Sequence, residues 1–222
     1  MAERIVVINP NCTQAVSAAI DAALQPWRMA GGPAIECVTL AEGPPGIETQ
    51  AHVEQVVQPI CRLVRARQDA GAFVIACFSD PGLHAAREVT ARPVFGIAEC
   101  GLLTALTLGE RFGIVAILPS SLPRHLRYVR QLGLAGRFAG DLPLGLDVVE
   151  LADEARACER MVAVGARLKD DHGADVLVLG CAGMAQYRGA LAAALGMPVV
   201  DPTQAAVTMA IGAVRQLHEG DG

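Results

Sequence analysis

Two cysteines stand at the same place in two similar stretches of this sequence. Cys77 ends GAFVIAC and Cys181 ends GADVLVLGC, so each thiol follows an apolar run that predicts a buried strand. One thiolate can remove a proton from a carbon next to a carbonyl, while a second, as a thiol, returns a proton to the opposite face. Such a pair inverts the carbon centre without a metal or an organic cofactor, provided that backbone amides and hydroxyls hold the enolate-like oxygen.

Packing is the alternative explanation, because cysteine is among the most buried residue types. For either thiol alone packing is favoured, whereas the matched pair favours catalysis. The other cysteines lack that context, and we interpret them as packing residues: Cys12, Cys37, Cys61, Cys100 and Cys158. The seven thiols form no C-x-x-C pair, so neither a disulfide framework nor a metal site is predicted.

The elements that would position these thiols repeat along the chain. At a shift of about 105 residues, RIVVINPN from Arg4 aligns with RFGIVAILPS from Arg111, and RPVFG from Arg92 aligns with MPVVD from Met197. We therefore predict one unit that has been duplicated. Equivalent strand ends from the two halves could then face each other across a cleft, with the thiols opposed.

Short runs of Val, Ile and Leu alternate with amphipathic stretches, which is typical of strands and helices on a parallel sheet. The predicted fold class is α/β, with two pseudo-symmetric doubly wound parallel-sheet lobes and an active site in the cleft between them. Lobe 1 is predicted at residues 1–96 and 205–222, and lobe 2 at residues 97–204. The predicted strands are 4–8, 34–38, 73–76, 94–96, 112–118, 147–150, 176–179 and 199–200. The predicted helices are 13–27, 47–68, 82–90, 99–109, 122–132, 152–171, 184–195 and 203–217.

Composition excludes several classes of function. The net charge is -5 and the basic residues are scattered, which disfavours nucleic acid as a partner. No membrane span is predicted, because the most apolar long window carries Glu99. The first strand leads to N-P-N-C-T without G-x-G-x-x-G or G-K-[ST], which disfavours a nucleotide-binding enzyme. MAERIVVINPN has no signal-peptide pattern, and we expect a cytoplasmic protein.

The loops after the strands supply groups that could hold a ligand. Asn9-Pro10-Asn11 is suited to bonding amides or carboxylates, and Ser120 and Ser121 occupy the matching loop of the second half. Ser79 or Asp80 could cap the helix after Cys77. A helix N-terminus can also lower the pKa of a nearby thiol into the physiological range.

These blocks resemble the hydantoin and allantoin racemases of the aspartate/glutamate/hydantoin racemase superfamily. The matching stretches are NPN at 9–11, CFSDPGLHAARE at 77–88, GIAE at 96–99, RFGIV at 111–115 and GADVLVLGCAGM at 173–184. The resemblance implies a cofactor-independent racemase, usually a homo-oligomer, with Cys77 and Cys181 as acid and base. It also implies substrate contacts from Asn11 and Ser79, and from the loop of Gly180, Ala182 and Gly183.

The resemblance implies a small ring substrate, a 5-substituted hydantoin, with allantoin as one candidate. The chain departs from the family where Ala116-Ile117 replaces a usual Thr-Thr, so either the pocket prefers a different ring substituent or Ser120 or Ser121 supplies the missing hydroxyl. Amino-acid racemases and maleate cis-trans isomerases of the superfamily stay open as alternatives, as does a ligand-binding protein without catalysis. Arylmalonate decarboxylases resemble the chain too, but keep only the second-half cysteine, so Cys77 counts against them.

Overall fold

The computed structural model describes residues 4–146 and 154–218, and the chain divides into two compact units. Unit 1 comprises Met1–Cys100 and Thr203–Gly222, and unit 2 comprises Gly101–Pro202. The lobe boundaries predicted at 96/97 and 204/205 remain predictions.

Unit 1 contains a parallel sheet of four strands in the order β2-β1-β3-β4. The strands are β1 Arg4–Asn9, β2 Ala34–Thr39, β3 Ala70–Ile75 and β4 Val94–Gly96. The helices that follow them are α1 Gln14–Ala23, α2 Gln50–Gln55, α3 Val57–Ala66 and α4 Leu83–Glu88, while α5 Ile97–Leu108 runs on into unit 2. Strand β3 is buried along its whole length, which is typical of a parallel strand covered on both faces.

Unit 2 repeats this arrangement in the order β6-β5-β7-β8. Its strands are β5 Phe112–Ala116, β6 Phe138–Pro143, β7 Val176–Leu179 and β8 Val199–Val200. Its helices are α6 Leu122–Gln131, α7 Glu154–Asp170 and α8 Arg188–Leu195, and the last helix of the chain is α9 Pro202–His218. The predicted α/β class with two parallel sheets is confirmed.

Helix α9 packs on unit 1. The side-chain amide of Gln204 donates to the carbonyl of Ala23 at 3.1 Å, and the indole N–H of Trp27 donates to the Thr208 hydroxyl at 2.8 Å. Among the described helices, none is both long and apolar enough to cross a membrane.

One strand differs from the sequence prediction. The strand expected at 147–150 lies outside the described residues, and the strand that pairs with β5 on the side away from β7 is β6, which was not predicted. FAGDLP carries Gly, Asp and Pro, which all disfavour strands, but β6 pairs with β5 alone. An edge strand tolerates proline because one side needs no ladder hydrogen bonds.

The single helix predicted at 47–68 is two helices, α2 and α3. Proline clashes with the carbonyl four residues earlier, and for Pro59 that carbonyl belongs to Gln55, the last residue of α2. Two other predicted helices overlap 3-10 helices, which are Gln25–Trp27, containing Pro26, and Ala182–Tyr187, before α8.

Three of the five cysteines interpreted as packing residues now have a defined environment. Cys61 and Cys100 are buried. Burial raises the pKa of Cys100 to about 12, together with the charges of Asp80 and Glu99. Burial also raises the pKa of Cys37 to about 12, with a further contribution from Asp21. Both thiols therefore keep their protons at neutral pH.

This gives a prediction for alkaline stability. The pKa of Cys100 is higher in the folded than in the unfolded protein. The protonated thiol therefore contributes fully to stability below the unfolded pKa, and this contribution is lost as the pH rises toward 12. We expect the free energy of unfolding, measured with urea, to fall between pH 7 and pH 10 in both wild type and Cys100→Ala. The decrease should be about 1–2 kcal/mol larger for wild type than for Cys100→Ala. Leu102→Ala, a buried change in the same helix without a titrating group, should keep the wild-type pH dependence. An identical pH dependence in Cys100→Ala would contradict the prediction.

Candidate active site

The strand order of each sheet reverses between the first and the third strand of its unit. In unit 1 these are β1 and β3, and in unit 2 they are β5 and β7. Ligands of open parallel sheets bind beyond the carboxyl ends of the strands at this point, because the loops leave in opposite directions. Cys77 and Cys181 are each the second residue after the third strand, so the structure places both at the predicted strand ends.

In unit 1 the pairing of β1 and β3 continues one residue past β3. The N–H of Ala76 donates to the carbonyl of Ile8 at 2.8 Å, and Cys77 follows directly. The N–H of Cys77 donates a hydrogen bond to the carbonyl of Ile75 at 3.1 Å, so the chain turns at this point. The thiol is half-buried, and the half-buried Ser79 lies in the same turn.

The prediction that Ser79 or Asp80 caps the helix after Cys77 is wrong. Helix α4 begins after Gly82 without a side-chain cap, and the carboxylate of Asp80 instead accepts hydrogen bonds from the N–H groups of Ala98 and Glu99. Asp80 thus caps α5, which follows the neighbouring strand of the sheet. Local sequence gave no sign of this partner, since 18 residues separate Asp80 from Ala98.

The Asn-Pro-Asn loop after β1 is built around a buried amide. The side-chain NH2 of Asn9 donates to the Asn11 oxygen and to the Ser17 hydroxyl, each at 3.0 Å. The N–H of Thr13 donates to the same Asn11 oxygen at 2.9 Å. That oxygen is therefore engaged inside the loop, and the NH2 of Asn11 is the end of the side chain that can serve a ligand.

In unit 2 the corresponding bond joins β5 to the residue before Cys181. The N–H of Gly180 donates to the carbonyl of Val115 at 2.9 Å, and a Cβ at Gly180 would lie 2.8 Å from that oxygen. The N–H of Gly183 donates to the sulfur of Cys181 at 3.4 Å, and the buried Ala182 begins the 3-10 helix between them. Glycine at 180 is thus required for the close approach of the strands.

The environment of Cys181 favours the neutral thiol. Desolvation by burial raises its pKa, the Gly183 N–H lowers it, and the negative charge of Asp201 raises it further. The lowering of a thiol pKa that a helix N-terminus can produce is not found at Cys181, because one N–H donor does not offset burial.

The serines of the second half lie in a short 3-10 helix after β5. Ser120 is exposed, and its carbonyl accepts a hydrogen bond from the Arg124 guanidinium at 3.1 Å. The Ser121 hydroxyl accepts from the same guanidinium at 3.3 Å. Before them, the carbonyl of Ala116 accepts from Leu144, which holds this loop to the segment after β6.

Sequence reasoning missed a buried pair between His125 on α6 and Asp141 on β6. Their Nδ1 and Oδ2 atoms lie 2.7 Å apart, burial raises the pKa of Asp141, and the interaction with His125 opposes that shift. The pair was not found because β6 itself was not predicted. It ties α6 to the edge strand. Within residues 4–146 and 154–218, no group of three or more His, Cys, Asp or Glu side chains is arranged to hold a metal ion.

Comparison with known proteins assigns the family. A model described as Asp/Glu/Hydantoin racemase matches residues 5–210. The chain belongs to this family. The resemblance inferred from the sequence motifs is therefore confirmed.

Individual relatives within the family cover nearly the whole chain. The hydantoin racemase of Paenarthrobacter aurescens is 37% identical over 214 residues, which are 93% of this chain and 89% of the relative. The solved structure of an allantoin racemase from Klebsiella pneumoniae has a TM-score of 0.91 at 34% identity, covering 96% of this chain and 88% of that chain. An allantoin racemase from Pseudomonas fluorescens gives 0.89 at 29% identity, with 96% and 91% covered.

The raised pKa of Cys181 predicts slow alkylation without substrate. Iodoacetamide reacts with the thiolate, so at pH 7 the Cys181 peptide should be modified more slowly than free cysteine, with a midpoint at higher pH than that of free cysteine. Asp201→Asn removes a charge that raises this pKa and should move the midpoint to lower pH. Peptide mass spectrometry measures both, and the exposed Asp171→Asn serves as the control. A midpoint at or below that of free cysteine would contradict the assignment.

Proposed function

We propose that this protein racemises 5-substituted hydantoins, with allantoin among the candidate substrates, by proton transfer at C5 between Cys77 and Cys181. The observation that carries the proposal is the placement of the two thiols. Each follows the third strand of its unit at the reversal of strand order, in a chain of the Asp/Glu/Hydantoin racemase family. The hydantoin racemase relative supports the substrate class.

The proposed reaction balances within the two thiols and the substrate. A thiolate takes the proton from C5, and the electrons of that C–H bond move into the neighbouring carbonyl to form an enolate. The other thiol gives its proton to the opposite face of C5, so that the enolate electrons form the new C–H bond. The environment of Cys181 favours the neutral thiol, so we assign Cys181 as the proton donor in one direction of the reaction. In that direction Cys77 removes the proton from C5, and Cys181 protonates the resulting enolate.

The proposal requires no metal or organic cofactor, so the chain's own donors must hold the enolate oxygen and the ring. In unit 1 we assign the NH2 of Asn11 and the hydroxyl of Ser79 to this role. In unit 2 the N–H groups of Gly180 and Gly183 are engaged with Val115 and Cys181. We therefore assign the N–H of Ala182, which as the first residue of a 3-10 helix has no partner within that helix.

The hydroxyl of Ser120 completes the proposed set. It is exposed in the loop where the family's usual pair of threonines is replaced by Ala116 and Ile117. The cytoplasmic location and the homo-oligomeric state inferred from the sequence also belong to the proposal, and light scattering of the purified protein tests the second.

A substrate panel tests the activity itself. Single enantiomers of allantoin and of alkyl-, aryl- and carboxyalkyl-hydantoins are incubated with the protein, and optical rotation is followed. Aspartate and glutamate, followed by optical rotation, and maleate, followed by formation of fumarate, serve as controls for the amino-acid racemase and maleate isomerase alternatives. We expect loss of rotation with at least one hydantoin and no reaction of the controls. No loss with any hydantoin would contradict the proposal and favour a binding protein.

The thiols are tested by single substitutions. Cys77→Ser and Cys181→Ser should each lower the racemisation rate by about 10²–10⁴-fold, because one of two proton transfers is lost. Cys158→Ser, a matched change on the half-buried face of α7, should stay within about twofold of wild type. In D₂O each site variant should still exchange the C5 proton of one enantiomer, and the enantiomer should differ between the two. Racemisation at the wild-type rate by either variant would contradict the two-thiol mechanism.

A further inference from the structure

We infer that Asp80 is a positioning residue for Cys77, because its carboxylate fastens the turn that carries the thiol to the first turn of α5. The expected effect on the racemisation rate rests on the proposed function. The hydrogen bonds of Asp80 that support the inference do not depend on the substrate.

The turn after Cys77 has an unfavourable backbone conformation. Asp80 has a φ of 42° and is, among the described residues, the one non-glycine residue with positive φ. Side chains disfavour this left-handed region, so the conformation persists where surrounding contacts determine it. One such contact is the bond from the Asp80 N–H to the carbonyl of Cys77, at 2.9 Å.

The carboxylate supplies the stronger contacts. Asp80 is 6% exposed, and its two oxygens accept from Ala98 N–H at 2.9 Å and Glu99 N–H at 2.8 Å. These are N–H groups of the first turn of a helix, which have no intrahelical acceptor and carry partial positive charge. Helix α5 follows β4, and β4 pairs with β3. The carboxylate of Asp80 therefore connects the turn after β3 to the helix after β4.

The far side of this link is shaped to receive the carboxylate. A Cβ at Gly96 would overlap the Asp80 side chain, so glycine there gives the carboxylate its space. Arg87 on α4 supports the same end of α5, donating to the Val94 carbonyl and to the Glu99 carboxylate.

The positions of unit 2 that correspond to Asp80 and Gly96 carry other residues. In the internal alignment Met184 takes the place of Asp80, and Asp201 takes the place of Gly96. The loss of Asp80 should therefore affect proton transfer by Cys77 and leave the Cys181 turn intact. A general loss of folding would affect both.

The chain offers a matched control for the substitution. The carboxylate of Asp175 also accepts from two consecutive N–H groups, those of Glu110 at 2.9 Å and Arg111 at 2.8 Å. It lies at the amino ends of β5 and β7, whereas the cysteines follow carboxyl ends. A Cβ at Gly109 would overlap Asp175, as one at Gly96 would overlap Asp80.

The experiment compares Asp80→Asn and Gly96→Ala with Asp175→Asn and Gly109→Ala, after circular dichroism has shown that each is folded. An asparagine would direct its NH2 at one of the two backbone N–H groups and lose that bond. For the first pair we expect kcat to fall at least about tenfold with KM within about twofold, since small misplacement of a reacting group is costly. The control pair should keep kcat within about twofold of wild type.

Two further readouts separate positioning from general damage. In D₂O the enantiomer that still exchanges its C5 proton with Asp80→Asn should be the one that still exchanges with Cys77→Ser. Without substrate, iodoacetamide should modify Cys77 at least about threefold faster in the first pair, because the half-buried thiol becomes more accessible. The alkylation rate of Cys181 should not change.

Wild-type kinetics in Asp80→Asn and Gly96→Ala, or an equal loss of exchange for both enantiomers, would overturn the inference. So would an unchanged alkylation rate of Cys77. If wild type racemises no hydantoin, the proposed function fails, and the alkylation rates alone decide whether Asp80 positions Cys77. If Asp80→Asn does not fold, Gly96→Ala carries the same three comparisons.

Discussion

The hydrogen bond that extends each central strand pair by one residue is the constraint on which both halves of this protein depend. Ala76 bonds to Ile8 in unit 1 and Gly180 bonds to Val115 in unit 2. The cysteine is the next residue in each case, so the thiol stands where the ladder ends and the strand order reverses. A shift of one residue in register would send the thiol to the other face of the sheet.

The duplicated backbone carries two different chemical environments. The sulfur of Cys181 lies against a buried 3-10 turn near the charge of Asp201, which favours the protonated thiol. The turn of Cys77 is fastened by the carboxylate of Asp80, which accepts hydrogen bonds from two helix N–H groups. The proposed reaction uses one acid and one base, and such a pair is favoured where the environments of the two groups differ.

The sequence alone was sufficient to predict the elements with strong periodicity and the position of the two matched cysteines after their strands. It was insufficient wherever a distant contact decided the outcome. Strand β6 has poor strand propensity and exists because β5 pairs with it, and Asp80 caps a helix that begins only after another strand. The raised pKa of Cys181 could not be predicted from the sequence, because it follows from burial by the folded unit and not from the local amides.

The central claim is that a proton leaves one face of C5 and a different proton arrives on the other. The most direct measurement is early turnover of a single-enantiomer hydantoin by wild type in D₂O, with deuterium at C5 determined separately in each enantiomer. Two bases predict deuterium in the newly formed enantiomer and protium in the remaining substrate. Deuterium appearing equally in both from the first turnovers would show a single base and contradict the account.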